Sequence, residues 1–342
     1  MKRKRLSLPL LALLLLTLLF SACDLLPDAG AKPREMSESS IWAMDTQMDL
    51  RLYGDSDGKT MAALIARLNE LDRSLSATDP DSELSALNSS GRSEEPRILR
   101  LTAEALAVSE QTGGALDVTL LPVSRAWGFT TDNKSVPEAA VLEALRERVG
   151  MDKIELQEGV CVNLPAGTEL DFGALAKGYA ADLCRARMEE DGLSGILSLG
   201  GNIQTVGSKP DGSPWVVGVQ DPNDAGRYAL TLRLSGAKAA VSSGDYQRYF
   251  ERDGVRYCHI LDPKTLAPVR GSLRAVTVVA DSGLRADALS TALFVLGREA
   301  GEALWRELGD FEAIWMEADG SIWLTPGLED LAEGDEFRVI AP

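Results

Sequence analysis

The sequence predicts an α+β fold, with mixed β-sheets and packed helices, on three observations. Apolar residues recur at helical spacing in some segments and alternate with polar ones in others. The helical segments come in groups and do not alternate strictly with strands, which argues against a doubly wound parallel sheet. Once an N-terminal leader is set aside, about 320 residues remain, enough for one large catalytic unit.

In chain order, Met48, Leu50 and Leu52 alternate with polar neighbours and predict a strand. Met61, Leu64, Ile65, Leu68 and Leu71 recur every three or four residues, as on one face of a helix. Residues 101–111 predict a second helix, ended by Gly113-Gly114. Residues 137–149 predict a third, with proline at its start and Gly150 after its end. Residues 154–171 read as a hairpin turning at Gly167. Residues 174–190 form a long helix, and 196–199 a short buried strand broken by Gly200-Gly201. Residues 215–220, 228–234 and 275–280 continue the strand pattern. Residues 286–296 are helical, and 311–316 with 321–324 make a closing hairpin.

The leader is the clearest local signal. Lys2, Arg3, Lys4 and Arg5 precede an apolar run over residues 6–20, followed by Ser21, Ala22 and Cys23. A basic start, a hydrophobic stretch and small residues make an export signal. The run is about 15 residues, short of the roughly 20 needed to span a bilayer. The small residues before Cys23 resemble a bacterial lipobox, in which the cysteine is lipidated and becomes the first residue; Phe20 stands where leucine is usual. An uncleaved anchor would also hold the body outside the cytoplasm. The expected organisation is a signal peptide over 1–22, a flexible Pro-, Ser- and Gly-containing tether over 23–40, and one domain over 41–342. The expected location is the extracytoplasmic side of the inner membrane, with attachment through the lipid.

Charge narrows the partners. The chain holds 35 bases against 52 acids, and removing the four leader bases takes the net charge from −17 to −21. No basic run remains, so nucleic acid is not an expected partner, and an anionic ligand needs local help from a cation or a helix N-terminus. Cys161, Cys184 and Cys258 match no zinc spacing and read as small core residues. There is no P-loop and no GxGxxG after a strand, and a single histidine excludes HExxH.

Five stretches carry possible chemistry. In "TGGALDVTL" (112–120), two glycines permit close backbone approach before Asp117; a plain helix end fits equally. "LDFGALAKGYAADL" (170–183) sets an acid, a bend and a helix start with Lys177 in its second turn, which suits an anion or is an ordinary amphipathic helix. "SLGGNIQTVG" (198–207) is a strand breaking at Gly-Gly-Asn, a tight turn or a place where a ring or phosphate meets bare backbone. In "RADALSTALF" (285–294), Asp287 and Thr291 stand four apart on an apolar helix face; a hard cation such as Mg²⁺ or a hydrogen bond between them would satisfy the pair. "RYCHILDPKT" (256–265) holds His259, the one histidine, either a solvated or core residue or an acid–base group.

Taken together and in order, TGGALDVT…WGF, LDFGALAKGYAADL, LSLGGN, VVGVQDP, VSSGDYQRYF, HILDPKT and ADALSTALFVLG resemble the ApbE family of lipoproteins, the FAD:protein FMN transferases. The resemblance runs from about Ala43 to Gly297 and implies an ApbE-like, T-fold-related unit. It implies that FAD is bound, that Mg²⁺ sits on its pyrophosphate, and that FMN passes to a Ser or Thr of an exported protein while AMP leaves. Family acceptors carry a motif like D-x-x-[ST]-G-[AST]-T and include membrane redox subunits. By the same resemblance Met44 and the run Ala115, Leu116 and Asp117 match flavin-pocket positions, and Asp171 and Lys177 match FAD contacts. The Ala174 carbonyl, Asp287 and Thr291 match magnesium ligands, so Asp287 is expected to be catalytic. His259 and Ile260 line the site, with His259 where the family has its acid–base group; Asp245 and Asp262 are alternative bases.

Three departures stand out. Asp45 occupies a position often glycine in the family, Thr78 one often aromatic, and Leu266 one often glycine. Without the aromatic at Thr78, ring stacking there is lost. Two other functions therefore stay in view: a metal-dependent FAD pyrophosphatase in which water attacks, and a non-catalytic flavin-binding lipoprotein.

Overall fold

A computed structural model describes residues 35–131 and 133–341. The export signal, Cys23 and residues 24–34 of the expected tether lie outside the described residues. The remaining tether residues, 36–40, are corrected: they open strand β1 (Met36–Ala43), which pairs antiparallel along its whole length with β2 (Thr46–Tyr53). Their polar composition concealed an edge strand, where one face and one edge can stay wet.

Six helices follow: α1 (Lys59–Ser74), α2 (Glu83–Ser90), α3 (Pro96–Gln111), α4 (Leu121–Trp127), α5 (Ala139–Arg146) and α6 (Ala176–Glu190). Helix α3 starts five residues before the expected 101, because Pro96 sits in its first turn, where the missing N–H costs nothing. The hairpin expected to turn at Gly167 turns earlier. Glu155–Gln157 pairs with Cys161–Asn163 around Gly159, which has φ +68°, and Gly167 lies in the loop beyond. Both glycines have left-handed backbone, so residue type alone did not separate them.

The rest of the chain adds β3 (Ser194–Leu199), β4 (Asn202–Val206), β5 (Lys238–Gly244), β6 (Leu273–Ala280), α7 (Gly283–Leu296), α8 (Arg298–Leu308), β7 (Glu312–Glu317), β8 (Ile322–Leu324) and β9 (Arg338–Val339). These nine strands form one sheet in chain order, antiparallel at each step except the last, where β8 and β9 run parallel. The fold is thus α+β with a mixed sheet, as the sequence predicts. The helices enter as insertions between sheet neighbours.

Alternation along the central strands places two cores on opposite faces. In β5, Ala239 and Val241 join the helix-side core while Ala240 faces the other way; in β7, Ala313 and Trp315 oppose Ile314 and Met316. The second face is covered by a three-stranded sheet of Trp215–Asp221, Asp224–Leu234 and Ala332–Gly334. Leu50, Leu64, Leu68 and Leu289 are among the side chains fully withdrawn from water on the helix side, each contributing about 2 kcal/mol. Cys161, Cys184 and Cys258 are free and buried, as expected of core residues. No helix among the described residues is long and apolar enough to cross a membrane.

Candidate active site

Helices α6 and α7 approach so closely that only glycine fits between them. A Cβ on Gly178 would fall 2.1 Å from the Gly283 carbonyl oxygen and 2.7 Å from Cβ of Asp287. Each helix then caps the other. Asp182 of α6 accepts hydrogen bonds from the Ser282 hydroxyl (2.8 Å) and from the N–H groups of Gly283 (2.8 Å) and Leu284 (3.0 Å). Asp287 of α7 accepts from the Gly178 N–H at 2.8 Å, a donor in the first turn of α6 with no intrahelical partner. Ser282 also caps α7, which is why that helix starts at Gly283 and not at the expected 286.

Asp287 is 4% exposed and, among the described residues, makes no ion pair. It does not hydrogen-bond Thr291, so the local-pair alternative fails. Thr291 is instead 3.5 Å from the Ser243 hydroxyl, which is itself 2.8 Å from that of Ser290. The Ala174 carbonyl, in the turn before α6, receives no N–H donor. A buried carboxylate, a hydroxyl and an open carbonyl are the hard oxygen donor types that suit Mg²⁺. Among the described residues, no three His, Cys, Asp or Glu side chains could hold a metal ion. A cation here would therefore share its coordination with ligand oxygens or water.

Lys177 precedes Gly178 and, among the described residues, forms no ion pair. Its charge and that of Arg248 both reach Asp171 and His259, which gathers four polar groups of the site. Asp171 is tied down by its N–H to the Val118 carbonyl (2.8 Å) and by the Gly173 N–H on its carboxylate (2.8 Å). Burial pushes its pKa up, while the bond from Gly173 and then Arg248, Lys177 and Arg125 pull it down, and burial wins.

His259 closes the base of a hairpin formed by Tyr249–Arg252 and Val255–Cys258. The Arg248 carbonyl accepts both its main-chain N–H (2.9 Å) and its Nδ1–H (3.2 Å). A carbonyl only accepts, so Nδ1 carries the proton and Nε2 keeps its lone pair. Solvent still reaches part of the ring, but crowding by protein, then Arg248 and Lys177, lowers its pKa from 6.5 to about 4. At neutral pH the ring is uncharged and able to take a proton. The other candidate bases are occupied: Asp245 pairs with Arg274 at 2.8 Å, and Asp262 caps a turn through the Lys264 N–H at 2.8 Å.

The remaining expected positions divide. Met44 and Asp45 form the two-residue turn between β1 and β2, both left-handed (φ 51° and 56°), where glycine or asparagine is usual. Met44 packs on the core and donates its N–H to Asp72 at 2.8 Å; the Asp45 carbonyl accepts from Arg248 at 3.4 Å. The turn thus abuts the cluster. Ile260 is buried beside His259. Ala115 and Leu116 point into the core, so they can offer a ligand only backbone, and Asp117 is engaged by the Thr119 N–H and hydroxyl at 2.8 and 2.6 Å. Thr78 shares a groove with Arg125, whose charge reaches Asp171. It is exposed and hydrogen-bonds Ser76, lining a groove of about 510 Å³ with Ser85, Ser89, Arg125 and Thr131. Gly113 and Gly114 line a separate groove of about 760 Å³.

Sequence reasoning missed Arg248, Ser243, Gly178 and Asp182. Arg248 and Ser243 lie in the quoted stretch VSSGDYQRYF, and Gly178 and Asp182 in LDFGALAKGYAADL, but their roles depend on partners distant in sequence.

The chain is 32% identical over 324 residues to an FAD:protein FMN transferase of Treponema pallidum, covering 88% of this chain and 89% of that protein. A crystal structure of the Pseudomonas stutzeri flavinyl transferase ApbE, apo form, aligns with TM-score 0.78 and 32% identity over 88% of this chain and 98% of that one. That of an ApbE protein from Thermotoga maritima aligns with TM-score 0.81 and 28% identity, covering 87% and 99%. The family model described as "ApbE family" matches residues 44–315, a span that opens on the strained Met44 turn and encloses both capped helices, Arg248 and His259. The chain belongs to the ApbE family.

Proposed function

We propose that this protein is an FAD:protein FMN transferase working at the α6 and α7 junction. One observation carries the proposal: a buried, cation-less Asp287 hydrogen-bonds the residue that follows an ion-pair-free Lys177, within electrostatic reach of a neutral His259. Such a site suits a ligand with phosphate charge. The names of the relatives supply its identity as FAD.

In this reading Lys177 and Arg248 hold the pyrophosphate in an otherwise acidic body, and the exposed backbone around the Met44 turn borders the flavin. Asp287, Thr291 and the Ala174 carbonyl hold Mg²⁺, which when bound withdraws charge from the phosphoryl group. A Ser or Thr hydroxyl of the acceptor attacks the FMN phosphorus. His259 Nε2 takes the hydroxyl proton, the new oxygen–phosphorus bond forms, and the anhydride bond breaks with its electron pair leaving on AMP. His259 is matched to this order of events. Burial, and then the two cations, hold its pKa down before the ligand arrives, and phosphate charge then offsets the cations and makes the ring a stronger base.

Export and lipid attachment at Cys23 belong to the same proposal, supported by the leader sequence, and place the acceptor among exported or membrane redox proteins. The test is intact-mass spectrometry of an exported acceptor bearing the D-x-x-[ST]-G-[AST]-T motif, incubated with the protein, FAD and Mg²⁺. A mass gain of one FMN with release of AMP supports the transferase. FMN and AMP formed with no mass gain would assign water as the attacking group and make the protein a pyrophosphatase. FAD bound without turnover would leave a carrier.

A further inference from the structure

The acidic chain concentrates its positive charge beside His259. Residues 248–274 carry six bases, Arg248, Arg252, Arg256, Lys264, Arg270 and Arg274, against three acids, Glu251, Asp253 and Asp262. That is a local net of +3 in a chain of −17. The segment is built on the hairpin whose base is closed by the two hydrogen bonds between His259 and Arg248. Phe250 and Tyr257 face each other across it (ring centroids 5.1 Å, stacked) and are pinned by Trp127 of α4, 6.5 and 5.5 Å from them. The hairpin is therefore a braced blade. Its exposed tip carries Arg252, and Arg270 lies over the Tyr257 ring at 5.0 Å. Among the described residues, Arg270 and Lys264 make no ion pair, and Arg252 pairs only with its own neighbour Asp253, at 3.9 Å.

Among the described residues no carboxylate distant in sequence pairs with these outer cations, and Arg252 stands at the tip of the blade whose base is His259. Two phosphates at Lys177 and Arg248 do not account for them. We infer that the hairpin and the adjoining loop, residues 249–270, are the docking surface for an acidic, extended segment of the acceptor protein, steered there by charge and guided towards His259. The inference rests on the transferase reading and names the chemistry of its protein partner.

The test uses the mature protein with Arg252→Glu and Arg270→Glu combined, and two fluorescent peptides with a central threonine. One peptide has aspartate flanks and the other lysine flanks. Anisotropy titrations with FAD present should show the acidic peptide binding at least about tenfold tighter, weakening with salt. The double variant should lose about tenfold for that peptide, while its FAD affinity, read by quenching of flavin fluorescence, stays unchanged. Equal binding of the two peptides would overturn the inference. So would a matching loss of FAD affinity, which would assign the cations to the dinucleotide. Binding to vesicles containing 30% anionic lipid, abolished in the variant with no peptide preference, would assign the patch to a membrane and also overturn it. If the wild-type protein fails to bind FAD at all, the transferase reading itself falls, and this inference falls with it.

Discussion

Asp287→Asn should raise stability while abolishing function, because the side chain keeps its shape and loses only its charge. In the folded protein the carboxylate is 4% exposed, with one N–H donor at 2.8 Å and no cation. Replacing it by an amide weakens that hydrogen bond from about 1.5–3 kcal/mol to about 1 kcal/mol. It also removes the cost of an uncompensated buried charge, which is worth several kcal/mol. The balance favours the variant by about 1 kcal/mol, or about 2 °C in melting temperature for a chain of this size. Melting in chelator, then in excess Mg²⁺, separates the terms. Wild type should gain about 2.7 kcal/mol at a hundred times the dissociation constant, and Asp287→Asn should gain nothing. Transfer should fall about a thousandfold. A variant that melts lower in chelator, retains the Mg²⁺ response and still turns over would reduce Asp287 to a helix cap and refute the argument.

Other perturbations test neighbouring links. Gly178→Ala drives a methyl into the Gly283 carbonyl and should cost about 3 kcal/mol or more in urea unfolding, whereas Gly271→Ala, whose methyl would meet nothing nearer than the Leu273 nitrogen at 4.0 Å, should stay within about 0.5 kcal/mol. His259→Gln should remove a pH-dependent term. Unfolded His259 takes a proton below pH 6.5, but the folded ring does so only near 4, so wild type should lose up to about 3 kcal/mol relative to the variant as pH falls through that window. An unchanged difference across the window would show that the ring titrates alike in both states. Asp45→Gly relieves one left-handed residue and should raise unfolding free energy by about 0.5–1 kcal/mol, read by denaturant midpoint.

Much of the fold was legible because its periodic segments obey simple geometry. Met48, Leu50 and Leu52 do face the core from β2, and Leu64, Leu68 and Leu71 from α1. The chain-order sheet was not legible, because an edge strand as polar as β1 gives little alternation signal. Helices as short as α2 and α4 are fixed by capping at Ser82 and by aromatic packing around Trp127, which no local pattern displays. The site divides in the same way. Asp287, Thr291, Lys177 and His259 were singled out by the family resemblance, since type and spacing alone left each a bland alternative, and the reciprocal caps of Asp182 and Asp287 join residues about a hundred positions apart. Arg248 acts on His259 partly through its main chain, so its side-chain identity gave no warning.

The central claim is that the junction of α6 and α7 holds the phosphoanhydride. A crystal structure with FAD and Mn²⁺ in place of Mg²⁺ tests it directly through the metal's anomalous signal. The expected result is an anomalous peak in coordination range of the Asp287 carboxylate and the Thr291 hydroxyl, with the pyrophosphate between Lys177 and Arg248. A pyrophosphate lying in the groove of Thr78 or in that of Gly113 and Gly114, with no peak at Asp287, would contradict it.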